Sequence, residues 1–255
     1  QLKVVARNGD ILTAAEVERL LGGPQPQNVH ELDGIPTEPI IRNRFGVAIA
    51  PKTRSQVELV KAVAKNDVIF AKGPAGTGKT FLAVALAVAS LENREAERIC
   101  LVRPAVEAGE TLGFLPGDLK EKIAPYLRPI QDSLSELLPA EKLRRYEESG
   151  AIEVAPLAYM RGRTLKRAFI ILDEAQNTTA LQLKMFLTRL GLGGKMIVTG
   201  DMTQIDLPPT QKSGLRDALE RFRGIKGIKM IEFNEKDIVR HPLVKKIVAA
   251  YSENK

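Results

Sequence analysis

From Val68 onward, two hydrophobic textures alternate along the chain. Short, nearly unbroken apolar runs lie near Val68 to Ala71, Ile99 to Val102, Ile152 to Ala155, Ala168 to Leu172, Met196 to Thr199 and Lys229 to Phe233. Stretches with helical spacing fit around them at Ser55 to Ala64, Thr80 to Leu91, Pro129 to Leu138, Leu181 to Leu190, Ser213 to Phe222 and Pro242 to Tyr251. Strands buried on both faces read as continuous apolar runs, and parallel neighbours need helical crossovers. The pattern therefore predicts a three-layer α/β fold with six core strands in a parallel sheet.

The first residues have a different texture. Leu2 to Ala6 and Ile11 to Leu12 flank Asn8-Gly9, which supplies the positive φ angles of a tight turn and predicts a hairpin. Thr13 and Glu16 form a capping-box pattern opening a helix that Gly22-Gly23-Pro24 ends. The Pro-, Gln- and Asn-rich stretch from Gly23 to Pro39 has neither period and reads as a linker. Residues 1–40 are expected to form a small appendage, and residues 41–255 the main domain.

The run VIFA is followed by GPAGTGKT, Gly73 to Thr80, and then by the Ala-rich stretch beginning at Phe81. Strand, G-x-x-x-x-G-K-[ST] loop and helix together specify a phosphate-binding loop. Gly73, Gly76 and Gly78 let the backbone of Pro74, Ala75, Thr77 and their neighbours turn N–H groups inward. The helix N-terminus adds partial positive charge to this anion cradle. Lys79 is expected to reach the β and γ phosphates of ATP, and the Thr80 hydroxyl to bind the Mg²⁺ that bridges them. A dinucleotide site is disfavoured, because the G-x-G-x-x-G fingerprint and its later acidic residue are missing.

AFIILDEAQ puts Asp173 and Glu174 at the carboxyl end of a buried strand, where open α/β sheets bind ligands. Asp173 is the candidate magnesium ligand and Glu174 the candidate base for the attacking water. The competing reading is an acid pair favouring the dipole of the helix that starts after Thr178-Thr179. The strand MIVTG leads into Asp201 and Gln204, and Gln204 is the candidate contact to the γ-phosphate or attacking water.

Composition narrows the class. A chain of 255 residues, 44% hydrophobic and 27% charged, can bury a full core. Its one cysteine, Cys100, cannot form an internal disulfide, and no leader pattern is visible, so a reducing cytoplasmic setting is the expectation; Gln1 indicates that the chain is trimmed. The apolar run Phe81 to Leu91 is too short to span a bilayer, and no membrane segment is expected. One Cys with His30 and His241 makes no zinc set, and no G-x-S-x-G elbow marks a serine hydrolase. A net charge of +7 suits a polyanionic partner, with basic residues at Arg161, Arg163, Lys166 and Arg167 and again from Arg216 to Lys229. Stacking aromatics near them are few, so backbone electrostatics would dominate such binding.

Beyond the phosphate loop, six stretches thread residues of roughly 45 to 250 in order. They are PKTRSQ (Pro51 to Gln56), GPAGTGKTFLAVALAV (Gly73 to Val88), LVRPAVEAGETLGFLPG (Leu101 to Gly117), ILDEAQNTT (Ile171 to Thr179), VTGDMTQIDLP (Val198 to Pro208) and DIVRHPLV (Asp237 to Val244). Their combination resembles the PhoH family of ATPases, which are similar to the RecA-like core of superfamily-one helicases. The resemblance implies that Gln56 reads adenine, that Arg103 and Glu107 contact nucleic acid or couple it to the nucleotide, and that Arg240 is an arginine finger for a neighbouring subunit. It also implies a homo-hexamer, single-stranded RNA as substrate and a ribonuclease as partner. The chain has length for one such core, so a ring in which each subunit completes the next one's site is the expected geometry. Two rivals remain: a switch ATPase that controls protein partners without nucleic acid, and a small-molecule phosphotransferase, against which Glu174 argues.

Overall fold

The computed structural model describes residues 38–104, 119–239 and 243–244. The hairpin expected around Asn8-Gly9, the helix after it and all but the last two residues of the linker therefore lie outside the described residues, as does most of the helix expected at Pro242 to Tyr251.

Six parallel strands form the central sheet: β3 (Val68–Lys72), β4 (Arg98–Arg103), β5 (Ile152–Pro156), β6 (Ala168–Leu172), β7 (Lys195–Gly200) and β8 (Ile228–Glu232). Their spatial order is β5-β4-β6-β7-β3-β8. Each strand matches an expected apolar run to within a residue or so. A separate antiparallel pair, β1 (Ile41–Arg42) and β2 (Ala48–Ile49), precedes them. Its two strands are short and irregular in pattern, and the sequence reading did not find it. Ile40, Ile41 and Ile49 lean on the main core.

Alternating side chains on each strand feed two cores, as a period of two requires. Ile69, Ile99, Leu101, Phe169, Ile171 and Ile197 face helices α1 (Arg54–Lys65), α2 (Lys79–Glu92) and α3 (Leu119–Leu137). Phe70, Val102, Ile170, Leu172, Met196 and Val198 face α5 (Ala180–Leu187) and α6 (Gly214–Arg221) on the other side. The three-layer α/β arrangement is thus the observed fold. Cys100 lies in the second core, where burial pushes its thiol up to about 12, so it is not a ready nucleophile.

Two helical segments differ from expectation. The helix expected to start at Pro129 runs from Leu119 straight through Pro125 and Pro129. Each proline removes one backbone donor, but Ile130, Leu134 and Leu137 are buried on the sheet, and that burial outweighs the local break. The short helix α4 (Ala140–Glu148), which was not among the expected helices, has no fully buried residue, and Leu143 and Tyr146 turn its apolar side toward the core. It is tied down by Lys142 and Tyr146, which both bond the Glu92 carboxylate at the end of α2.

Leu134 is fully buried whereas Leu181 is 78% exposed. Leu134→Ala should cost about 2–5 kcal/mol of stability and Leu181→Ala less than about 0.5 kcal/mol, read from the urea midpoints at a common slope.

Candidate nucleotide site

The phosphate loop leaves the carboxyl end of β3 and enters α2 at Lys79. Gly73 has φ +147°, and a Cβ there would stand 2.3 Å from the Phe233 carbonyl oxygen, so only glycine fits where the loop passes the end of β8. At the far end of the loop, Gly78 is the left-handed N-cap of α2. Lys79, the next residue, folds back over the loop, its ammonium donating to the carbonyls of Gly73 and Pro74, both at 2.7 Å, and to the Thr77 hydroxyl at 3.3 Å.

Strand β7 lies between β3 and β6, although it follows both in sequence. The ends of β6 and β7 therefore meet beside the loop. Asp173, only 3% exposed, accepts from the Thr80 and Thr199 hydroxyls, each at 2.6 Å, so one carboxylate oxygen joins α2, β6 and β7. Asp201, also buried, accepts from the Ala75 N–H at 2.9 Å and from the backbone and hydroxyl of Thr203. Gln176 is fully buried and bonds three ways. Its oxygen accepts from the Asp201 N–H at 3.0 Å, and its nitrogen donates to Glu174 at 2.5 Å and to the Gln204 carbonyl at 3.1 Å.

Glu174 adopts a left-handed backbone conformation, φ 56°, uncommon for a side chain of its size. Arg103, at the end of β4, reaches it at 3.2 Å, stands 3.9 Å from Asp173 and donates to the Tyr126 carbonyl of α3 at 2.9 Å. Burial, followed by the neighbouring Asp173 charge, pushes the Glu174 carboxyl above its usual range, while Gln176, Arg103 and Lys79 pull it back in part. A raised carboxylate is a stronger base than an ordinary one.

These groups surround an open cavity of about 290 Å³. Of the residues expected from sequence, Ala75, Gly76, Gly78, Lys79, Thr80, Phe81, Asp173, Glu174 and Gln204 line it, and so does Arg103, for which the resemblance implied contact with nucleic acid or coupling to the nucleotide. Gln204 is exposed, with its main chain pinned by Gln176. Gln56 lies behind the loop, where its side-chain nitrogen donates to the carbonyl of Thr77, a buried residue of the loop itself. The helix expected after Thr178-Thr179 is present, capped by Thr179 through a full capping box, but Asp173 and Glu174 precede it and point into the cavity network instead of capping it. Thr199, Asp201, Gln176 and Pro129 were expected only as parts of elements or motifs, with no role in the site. Gln176 and Asp201 lie inside quoted motifs, and their polar character beside apolar strand ends was the available signal.

Arg161, Arg163, Lys166 and Arg167 lie on the connection from β5 to β6, with Lys166 and Arg167 directly before β6 at the amino end of the sheet. A five-residue strand, roughly 16 Å, separates Lys166 and Arg167 from the cavity. Arg163 makes a two-pronged pair with Glu153 at 2.7 and 2.6 Å, and Arg167 pairs with Glu97 at 2.9 Å. Glu107 and Arg240 lie outside the described residues. The chain leading to Arg240 does touch the loop, since the Val239 N–H donates to the Gly76 carbonyl at 2.9 Å.

The family model described as PhoH-like protein matches residues 48–252. The chain belongs to the PhoH-like family. A PhoH-like protein of Bacillus subtilis is 53% identical over 252 residues, covering 99% of this chain and 79% of the relative. A PhoH-like protein of Synechocystis is 58% identical over 217 residues, covering 84% and 66%. Protein PhoH of Escherichia coli K12 is 47% identical over 206 residues, covering 80% of this chain and 58% of that protein. Among solved structures, a large terminase from a thermophilic bacteriophage aligns at 13% identity and a TM-score of 0.46, over 76% of this chain and 49% of that one. The PhoH-like family, together with the phosphate loop, supports nucleotide binding and ATPase-type hydrolysis.

The donor set of this PhoH-like chain also fits magnesium. Among the described residues no three His, Cys, Asp or Glu side chains group into an all-protein metal cage. Mg²⁺ needs no such cage, since it is usually held by one or two carboxylates together with substrate phosphates and water. Thr80 and Asp173, hydrogen-bonded side by side at the mouth of the anion cradle, are a pair of that kind. Among the described residues no helix is long and apolar enough to cross a membrane.

The raised Glu174 carboxyl has a consequence for stability. An acid whose folded pKa exceeds its unfolded one holds its proton more tightly in the native state, so its contribution to stability falls as pH rises through that window. Glu174→Gln should therefore gain in stability relative to the parent chain as pH rises above the ordinary glutamate value of 4.5, with the difference smallest below it. Urea unfolding across that range checks the sign.

Proposed function

We propose that the chain is a magnesium-dependent ATPase that couples hydrolysis to binding or remodelling single-stranded RNA, as a homo-hexamer working beside a ribonuclease partner. The ATPase part is carried by one observation: an anion cradle, a Thr80–Asp173 pair and a carboxyl of raised basicity converge on a single cavity. In this reading the N–H groups of the loop and the N-terminus of α2 bind the β and γ phosphates. The Lys79 ammonium exchanges loop carbonyls for phosphate oxygens. Thr80 and Asp173 hold Mg²⁺, which when bound neutralises charge on the β and γ phosphates. Glu174 accepts the proton of the attacking water while Gln176 and Arg103 hold its two oxygens in place, and Gln204 orients that water. Arg240 of a neighbouring subunit would complete the site and stabilise the charge of the transition state.

The RNA part is supported by the net charge of +7 and by exposed Arg161 and Lys166 on the connection between β5 and β6. The pairing of Arg163 with Glu153 and of Arg167 with Glu97 favours the rival reading, a switch ATPase that acts on protein partners, because it removes two cations from any phosphate track. Phosphate release measured with and without single-stranded RNA over a salt series separates the two. Stimulation that fades with salt supports RNA coupling, and hydrolysis indifferent to RNA at every salt concentration supports the switch.

Lys79→Ala should weaken ATP binding severely. Glu174→Gln should keep ATP bound and lower turnover by about 100-fold or more, the usual scale of a lost general base. Normal turnover in Glu174→Gln would reassign the base. Arg240→Ala should lower turnover with little change in ATP affinity, and mixing it with Lys79→Ala subunits should restore part of the activity if the finger acts between subunits. Light scattering that finds only monomer, with and without a nucleotide analogue, would rule out the ring.

A further inference from the structure

Gln56 sits on the first turn of α1 and is 5% exposed. Its amide is engaged at both ends by the protein itself. The side-chain oxygen accepts from the Lys52 N–H at 2.6 Å, and the nitrogen donates to the Thr77 carbonyl at 3.0 Å. Thr77 is the fully buried middle of the phosphate loop; its hydroxyl donates to the Pro74 carbonyl at 2.9 Å and accepts from Lys79 at 3.3 Å. A Cβ on Gly78 would stand 3.1 Å from the Gln56 nitrogen, so the amide touches the loop at two successive residues. The Thr53 hydroxyl, capping α1, accepts from the Gln56 N–H at 3.3 Å and fixes the turn that carries it.

We propose that Gln56 is a positioning residue that holds the phosphate loop from behind, and that the site does not use it to choose among bases. The proposal rests on the nucleotide reading of this same site. An amide that reads the edge of a base must offer it both a donor and an acceptor. Here, turning the amide toward a base would leave the buried Thr77 carbonyl and the Lys52 N–H without their partners, and a buried group left unpaired is costly. What the amide fixes instead is the direction of the Thr77–Gly78 peptide, which sets where the next N–H groups of the cradle point. Its influence should therefore fall on the triphosphate, which every nucleoside triphosphate shares.

The test uses the full chain and three probes: ATP, GTP and inorganic tripolyphosphate, which has no base. Titration calorimetry gives their dissociation constants for the parent chain, Gln56→Ala and Gln56→Glu, and steady-state kinetics give KM and kcat where turnover is present. Gln56→Glu keeps the volume and the acceptor for Lys52 but cannot donate to the Thr77 carbonyl. It serves as the second variant if the alanine chain folds poorly. The expected result is a loss of about tenfold in affinity for all three probes alike in both variants, with the ATP-to-GTP ratio unchanged and KM affected more than kcat. A loss confined to ATP, with tripolyphosphate and GTP unaltered, overturns the proposal and makes Gln56 a reader of adenine. Parent-like affinity for all three probes in the variants overturns it as well. Absence of hydrolysis in the parent chain would speak against the ATPase reading only, because the three dissociation constants still decide the role of Gln56.

Discussion

The Asp173 carboxylate, buried between two threonine hydroxyls, is the contact through which the site's elements are held in common. A carboxylate with 3% exposure survives only if hydrogen bonds and nearby positive charge replace the water it has lost. Thr80 supplies one such bond from the first turn of α2, Thr199 another from β7, and Arg103 stands at the edge. Meeting that requirement pulls three elements together, and the cavity is the space their ends enclose. The same requirement suits a site in which a cation takes over part of the compensation when the nucleotide is present.

Around this contact the polar residues form a continuous set of bonds from one strand end to the next. Asp201 holds the Ala75 N–H, Gln176 joins Asp201 to Glu174, and Arg103 joins Glu174 to α3. The phosphate loop and the candidate base are thus joined by polar groups in direct contact, outside the hydrophobic cores. The left-handed conformation of Glu174 fits this picture, since a strained backbone persists only where its surroundings over-determine it.

Much of the fold was legible because burial on both faces leaves a plain mark. Val68–Lys72, Ala168–Leu172 and Lys195–Gly200 are apolar runs too short for helices and bounded by polar or glycine residues. The phosphate loop was legible because its chemistry requires glycine, lysine and threonine at fixed spacing. The course of α3 was not, since Pro125 and Pro129 argue locally for a break and only contact with the sheet holds the helix through them. Strands β1 and β2 were missed because two residues carry no measurable period.

The sequence by itself determined the strand runs, the anion cradle and the two acids, since each follows from residue types at short range. Tertiary structure alone decided that β7 inserts between β3 and β6, which brings Thr199, Asp201 and Gln204 to the loop. It also turned Arg103 toward Glu174, set Gln56 behind the loop and put Lys166 and Arg167 at the amino end of the sheet, a strand's length from the cavity. The physical reason is that strand order and side-chain direction depend on contacts between residues far apart in the chain, Thr80 with Asp173 or Ala75 with Asp201, which no local pattern encodes.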